Sequence, residues 1–382
     1  MASFIPHQVL VVGGGVIGLS IARELRRSGA GRIILLEKGV CGEEASWAAA
    51  GMLGPQAEAN ERSLFFDICS ASRDLYPQFA ADLLAETGID IELDKAGTLY
   101  LAFNDADVRE IRERYEWQRA AGMNVTILSA DEVRRAEPFI SPDVREALFF
   151  PNDWQVDNRK LLAALKRYAE LSDIEILVNT EVERLTVEGA TVIGAETNNE
   201  VFRADTTVLA TGAWTSLIKL GRAEMPFHVE PIRGQVITFQ TAKRLFQRVI
   251  YSPRGYIVPR ADGRVLAGST TEKVGFDKTL TDSAAGSLRE MASEIAPSTA
   301  GLAMADHWSG LRPFAMDSMP VIGQLCGLGS LTIATAHYRN GILLAPWTAK
   351  VVAGDQGSEY LKVFGPDRFR LRGVRSASKI FH

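Results

Sequence analysis

Residues 9–18 read Val-Leu-Val-Val-Gly-Gly-Gly-Val-Ile-Gly, an apolar strand that passes straight into a glycine-punctuated turn. Few sequence features restrict a fold as tightly. Gly13 permits a sharp strand-to-helix turn, Gly15 lets the backbone come close to a pyrophosphate, and Gly18 lets the helix over residues 16–28 pack against the strand. The first helical residues, Val16 and Ile17, then present unpaired amides to the phosphates. A second apolar run, residues 33–36, ends at Glu37, about 20 residues past Gly18, which is the spacing that places a carboxylate on the adenosine ribose. A carboxylate there repels a 2′-phosphate, so the pattern favours FAD or NAD over NADP.

The segment that follows, residues 42–53, is rich in small residues: Ala45, Ser46, Ala49, Ala50 and Gly51, ending in Met52. Such a surface suits close backbone approach along an extended cofactor, which points toward FAD. The same composition also suits a tight helix contact, and composition alone does not separate the two.

A chain of 382 residues, 46% apolar and 23% charged, has the makeup of a globular protein with room for two domains. The formal net charge of −5 gives no electrostatic reason to seek nucleic acid or an anionic membrane. The basic cluster at residues 368–375 reads as a solvated face. Three cysteines, Cys41, Cys69 and Cys326, form no CxxC pair, and the five histidines have no metal-ligand spacing, so no disulfide framework and no metal are expected. Cys usage fits a reducing cytoplasm. Residues 1–4 leave no room for a cleavable leader before the first strand, and no apolar run approaches the roughly 20 residues that span a bilayer.

Apolar residues at helical spacing mark residues 62–85 as helix. Strand-like runs follow at residues 89–93 and 97–103, and Asn104 looks like the N-cap of a surface helix reaching residue 120. Residues 155–157 open a helix over 158–171, before a strand at 174–178. Residues 176–185 and 191–197 read as strands in a layer above the nucleotide fold. Residues 206–214 return to that fold as a buried strand followed by a helix. From residue 229 to 270 strands alternate with turn signals (residues 231–234, 252–255 and 261–263), as in an antiparallel sheet. Residues 308–323, a strand at 330–334 and a helix from Gly341 close the chain.

The fold class is therefore α/β, a Rossmann-like FAD-binding domain interleaved with an α+β substrate domain built on an antiparallel sheet. The division assigns residues 1–85, 150–220 and 305–382 to the FAD-binding domain and residues 86–149 and 221–304 to the substrate domain.

Tyr256 in Gly-Tyr-Ile-Val-Pro, Arg312 in Trp-Ser-Gly-Leu-Arg-Pro and Arg339 in Ala-His-Tyr-Arg-Asn-Gly are polar side chains in otherwise apolar contexts. By sequence alone Arg312 could equally pair with Asp317, Tyr256 could be a core tyrosine, and Arg339 a surface cation. His337 and Glu58 are further polar residues beside these segments, without a defined role.

Residues 11–25, 46–58, 255–260, 308–323 and 336–346 resemble, in order, the D-amino acid oxidase family of flavoproteins, and within it the glycine-oxidising branch that serves thiamine thiazole synthesis. The resemblance implies non-covalent FAD, and no cysteine stands where related enzymes attach flavin. It implies cofactor contacts from the turn residues above, Lys38, Val182, Gly212 and the run His337, Tyr338, Arg339, Asn340, Gly341, Ile342 and Leu343. Arg312, Tyr256 and Arg339 are then the substrate-carboxylate ligands, with no protein nucleophile. The implied reaction is hydride transfer from glycine, sarcosine or a small D-amino acid to flavin, with dioxygen as the acceptor; glycine then gives glyoxylate, ammonia and hydrogen peroxide. A homo-oligomer, as large as a tetramer, is also implied.

Overall fold

The structure is a computed structural model that describes residues 8–354 and 363–371. Residues 1–4, His7, His382 and the part of the basic cluster beyond residue 371 lie outside the described residues. The strand Gln8–Val12 forms the middle of a six-stranded sheet, flanked by Arg32–Leu36 on one side and Thr206–Leu209 on the other, with Glu175–Leu177, Leu331–Thr335 and Val321–Gln324 completing it. Every pairing is parallel except that of the edge strand Val321–Gln324. Parallel strands buried on both faces call for near-continuous apolar sequence, which is what Val9 to Val12 and Ile33 to Leu36 supply.

One face of this sheet is covered by the helices Val16–Arg27, Leu64–Thr87, Asn158–Leu171 and Gly341–Val352. The other packs against a four-stranded sheet containing Val182–Glu188 and Thr191–Thr197. The side chains of Asn104 and Asp157 accept amide hydrogen bonds at the starts of the helices Asp105–Ala120 and Asn158–Leu171.

The remainder is an eight-stranded sheet in which Met304–Ala315 pairs with Val229–Gln240 along nearly its whole length. Residues 305–315, grouped from sequence with the nucleotide fold, thus run as an edge strand of this second sheet. The sheet is mixed rather than purely antiparallel, because Val249–Ser252 lies parallel to Thr98–Ala102, a strand arriving from a distant part of the chain.

Four local expectations are corrected. Residues 89–93 form no strand: Glu92 has a left-handed φ of 53°, and the only ladder contact nearby is a bridge from Asp94 to Gln155. Residues 176–185 do not make one strand but divide between two sheets, Glu175–Leu177 and Val182–Glu188, with Asn179 at a left-handed φ of 53° in between. The helix after residue 210 is the 3₁₀ segment Gly212–Leu217. Finally, residues 231–234 lie inside the strand Val229–Gln240 instead of forming a turn.

One helix carries a defect that is repaired from outside. Pro346 has no N–H to donate to the Ile342 carbonyl, and the Tyr76 hydroxyl donates to that carbonyl instead. The Ser72 hydroxyl donates to the next carbonyl, that of Leu343, at 2.6 Å. Both come from the helix Leu64–Thr87, so the first turn of Gly341–Val352 is held in position by a neighbouring element.

Candidate active site

A cavity of about 500 Å³ runs from the glycine turn to the eight-stranded sheet. At the turn, Gly13 adopts φ 106°, and a Cβ there would lie 2.4 Å from the Ala210 carbonyl oxygen. A Cβ on Gly18 would fall 1.9 Å from the Gly13 carbonyl oxygen. Both positions are closed to any side chain. Gly13, Gly15, Val16 and Ile17 line the cavity, whereas Gly18 lies beneath the turn and shapes it from below. The Ser46 hydroxyl accepts from the Val16 amide at 3.0 Å, so the helix N-terminus already shows its affinity for oxygen.

Glu37 is buried with its carboxylate accepting from the Gly14 amide at 2.7 Å and the Gly39 amide at 3.0 Å. These bonds fix its orientation and leave lone pairs for a ribose. Lys38 lies with its ammonium 3.5 Å from the centre of the Trp214 ring, and burial lowers its pKa. Val182 and Gly212 line the same end. Backbone amides, a fixed carboxylate and a glycine surface that a Cβ would fill are together the groups that an adenine dinucleotide needs, so the residues present fit FAD.

Ala45, Ser46, Ala49, Ala50, Gly51 and Met52 line the cavity along its middle. The segment also makes the tight contact its composition allowed: a Cβ on Gly310 would lie 2.5 Å from that of Ala48, and the Trp308 indole donates to the Ala48 carbonyl at 3.0 Å. The sequence did not single out the residue that holds this loop in shape. Arg260, 3% exposed, donates to the carbonyls of Ala50 and Val156, each at 2.8 Å, and to Gln155 and Asn158. Its four partners neutralise none of its charge, and burial lowers its pKa to about 10. Its place at the end of the run 255–260 was the available signal.

The far end of the cavity contains Arg312 and Tyr256. Arg312 donates to the Thr270 carbonyl at 3.1 Å and to the Ser269 hydroxyl at 2.7 Å, and burial lowers its pKa. It makes no pair with Asp317, whose carboxylate is taken by Arg368 at 2.8 Å. The guanidinium lies flat across Gly234 on the neighbouring strand, where a Cβ would come within 2.2 Å of Nη2. Tyr256 lies likewise across Gly268, whose Cβ would sit 2.5 Å from the hydroxyl. Gly234 therefore serves as a bed for Arg312, which is why Pro-Ile-Arg-Gly occurs in mid-strand and not in a turn.

His337, Tyr338, Arg339, Asn340, Gly341 and Ile342 pass along this end and line the cavity. Leu343 does not; it is buried in the core behind the sheet. Ala336 and Tyr338 hold left-handed φ values of 57° and 48°, uncommon without glycine. The Tyr338 amide is anchored to the Pro313 carbonyl at 3.0 Å, directly beside Arg312. The His337 ring bonds the Thr348 hydroxyl at 3.0 Å, and burial drives its pKa down to about 3. A histidine so placed stays neutral and packs; it does not collect a proton near neutral pH. Arg339 reaches the Tyr251 hydroxyl at 3.4 Å, and the nearby Glu58 carboxylate is the main reason its pKa is raised.

None of the three cysteines lines the cavity: Cys41 is buried with its thiol donating to the Gly14 carbonyl and its pKa pushed up to about 12, and Cys326 is exposed. Among the described residues no helix is long and apolar enough to cross a membrane, and no cluster of ligating side chains could hold a metal ion.

The family model described as FAD dependent oxidoreductase matches residues 8–354. The chain is 36% identical to a glycine oxidase of Pseudomonas aeruginosa over 91% of its length and 94% of that protein. It is 32% identical to the bifunctional protein ThiO/ThiG of a Synechocystis species, over 94% of this chain and 54% of that one. Among solved structures, the glycine oxidase of Geobacillus kaustophilus superposes with a TM-score of 0.88 at 31% identity, covering 95% of this chain and 99% of that one. With the cavity, its glycine turn and these likenesses together, the chain belongs to the DAO family of FAD-dependent oxidoreductases.

Proposed function

We propose that the protein oxidises glycine, and also sarcosine and small D-amino acids, with dioxygen as the acceptor and hydrogen peroxide as its reduced product, the imine formed from glycine hydrolysing to glyoxylate and ammonia. The observation that carries this reading is the pairing of Arg312 and Tyr256, each laid across a glycine at the end of the cavity opposite the dinucleotide turn. The likeness to the two glycine oxidases supports it. A place in thiamine thiazole synthesis belongs to the same reading and is supported by the likeness to the ThiO/ThiG protein.

Bound FAD supplies the acceptor for the substrate's α-hydrogen and the route for its electrons to dioxygen. The rest falls to the chain. Arg312 offers a planar fork to the substrate carboxylate, and Tyr256 offers a hydroxyl to the same group. Arg339 adds a second positive charge, and the amides at the start of the helix Gly341–Val352 favour negative charge in the same space. Orientation by this clamp and the electrostatic support around it are the main contributions, with no side-chain nucleophile. The turn residues, Glu37, Lys38, the segment 45–52, Val182, Gly212 and the run 337–343 are the cofactor-binding set, in which Gly18 and Leu343 act from behind the cavity wall.

The domain division follows the sheets. Of the described residues, we assign 8–85, 150–220 and those from about 316 onward to the FAD-binding domain, the last boundary moving from residue 305, and the eight-stranded sheet with its helices to the substrate domain. A cytoplasmic homo-oligomer, up to a tetramer, completes the proposal.

A peroxide-coupled assay over glycine, sarcosine, D-alanine and L-alanine tests the function. Glycine, sarcosine and D-alanine should be turned over within roughly 1 to 3 kcal/mol of one another, the value of one methyl group. L-Alanine should fail, because the same carboxylate clamp turns its side chain instead of its α-hydrogen toward the acceptor. Equal rates for the two alanines, or rapid anaerobic bleaching by glycine with no peroxide on adding oxygen, would overturn the oxidase reading.

A further inference from the structure

A second cavity, of about 630 Å³, meets the first at Glu58, Tyr256, Ser269 and Arg339. Glu58 reaches this junction from the one-turn helix Pro55–Glu58, which is too short to hold its own shape. Two charged side chains from other elements hold it instead. At its start, the fully buried Asp153 carboxylate accepts from the Gln56 amide at 3.2 Å and the Ala57 amide at 2.7 Å. At its end, Arg114 donates to the carbonyls of Ala57 at 3.0 Å and Ala59 at 2.7 Å. Between them, the Gln56 side-chain amide donates to Gln118 Oε1 and the Gln118 side-chain amide donates to the Gln56 backbone carbonyl, each at 2.9 Å. So much buried polar structure around four residues is costly to assemble, and it surrounds a turn of which only Ala57 joins a hydrophobic cluster, that of Tyr100, Ile111 and Phe150.

We propose that Asp153 and Arg114 are positioning residues for the reaction: by clamping the two ends of this turn they fix the Glu58 carboxylate beside Arg339 and so set how strongly the substrate is held. The inference rests on the function proposed above. Glu58 and Arg339 line both cavities, and the Glu58 carboxylate is the largest cause of the raised Arg339 pKa, so a shift of the turn changes the field the substrate meets. The clamp is also sensitive to acid. Burial raises the Asp153 carboxyl to about 7, opposed by the two amides and by Arg73 at 4.0 Å, with Glu58 adding to the rise. On protonation Asp153 keeps one good acceptor oxygen where two amides need it, so the clamp weakens as pH falls through neutrality.

Glycine kinetics of the FAD-loaded enzyme from about pH 6 to about pH 9 test this in wild type, Asp153→Asn, Glu58→Gln and the double variant. Asp153→Asn should raise KM about ten-fold, as for loss of one charge-assisted hydrogen bond, with kcat changed by less than about two-fold. The inflection of KM near neutrality should vanish, leaving only the smooth slope from protonation of the substrate amine. The double variant should be no worse than Glu58→Gln alone, because both changes act through one carboxylate. If Asp153→Asn does not fold, Arg114→Lys, which keeps the charge and loses the forked contact, is put through the same cycle. An unchanged KM, or effects that multiply in the double variant, would overturn the clamp. Glycolate binding, followed by the absorption of the bound cofactor, gives the same cycle without turnover. A wild-type protein inactive on glycine would thus sink the proposed function while the cycle still decides the clamp.

Discussion

The two ends of the cavity use glycine for opposite purposes. At the nucleotide end, a side chain on Gly13 or Gly18 would strike backbone carbonyls, at 2.4 Å and 1.9 Å. At the substrate end, a side chain on Gly234 or Gly268 would strike the tips of Arg312 and Tyr256, at 2.2 Å and 2.5 Å. Backbone at the ends of the central parallel strands has nowhere to go, whereas the tip of an arginine can swing aside. The first kind of glycine therefore protects the fold and the cofactor, and the second protects only the aim of a functional group.

That contrast can be broken at either end. The largest effect belongs to Gly18→Val, which should yield no folded FAD-loaded protein, since a core overlap with immovable backbone exceeds the usual 1–3 kcal/mol of overpacking. A yellow protein with an unaltered melting temperature would deny the turn its rigidity. Next comes Arg312→Ala, which should retain FAD and lose on the order of 10²-fold or more in kcat/KM for glycine, or about 3–5 kcal/mol, with lysine restoring only part. Activity near that of wild type would remove Arg312 from the clamp. Gly234→Ala should fall between these and silence: FAD retained, stability little changed, and KM raised roughly ten-fold as the guanidinium is lifted from its bed, about 1.4 kcal/mol. Loss of cofactor in this variant would erase the distinction between the two kinds of glycine.

The smallest effect concerns His337. Its pKa is lowered from an unfolded value of ~6.5 to about 3 by burial. At high pH both states hold the neutral ring and nothing is gained or lost. As pH falls below ~6.5 the unfolded chain takes up a proton that the folded chain refuses, so stability declines from there toward pH 3. His337→Asn should flatten that part of the melting-temperature profile, and the wild-type kcat profile should show no inflection from this ring near neutrality.

The same contrast explains what the sequence disclosed. A turn that must pass between a strand, a helix and two phosphates has one workable arrangement of glycines, so residues 9–18 and Glu37 announced it. The order of the helices and strands was legible for a related reason, since Asn104 and Asp157 cap where their side chains must and the central strands are apolar throughout. At the substrate end the constraint arises across strands. Gly234 matters because residue 312 lies over it, and no local spacing carries that information, so Pro-Ile-Arg-Gly passed for a turn. Arg260 and Asp153 were silent likewise: each serves backbone groups of segments between 96 and 210 residues away in the chain. The break between residues 177 and 182 was hidden because both halves are acceptable strand sequence.

The cavity wall is drawn from residues near 12–58, 180–219, 234–269 and 310–342, and the chain shuttles between the sheets to supply them. On the ribosome, the glycine turn therefore emerges before the rest of this wall and waits. Its helix cannot find the partner Gly341–Val352, nor the Ala50 loop its arginine, until most of the chain has been made. Cofactor capture is accordingly a late event in the life of each molecule, coupled to synthesis of the helix Gly341–Val352, and a polypeptide halted after the dinucleotide motif would carry the signature of a flavoprotein without the means to hold flavin.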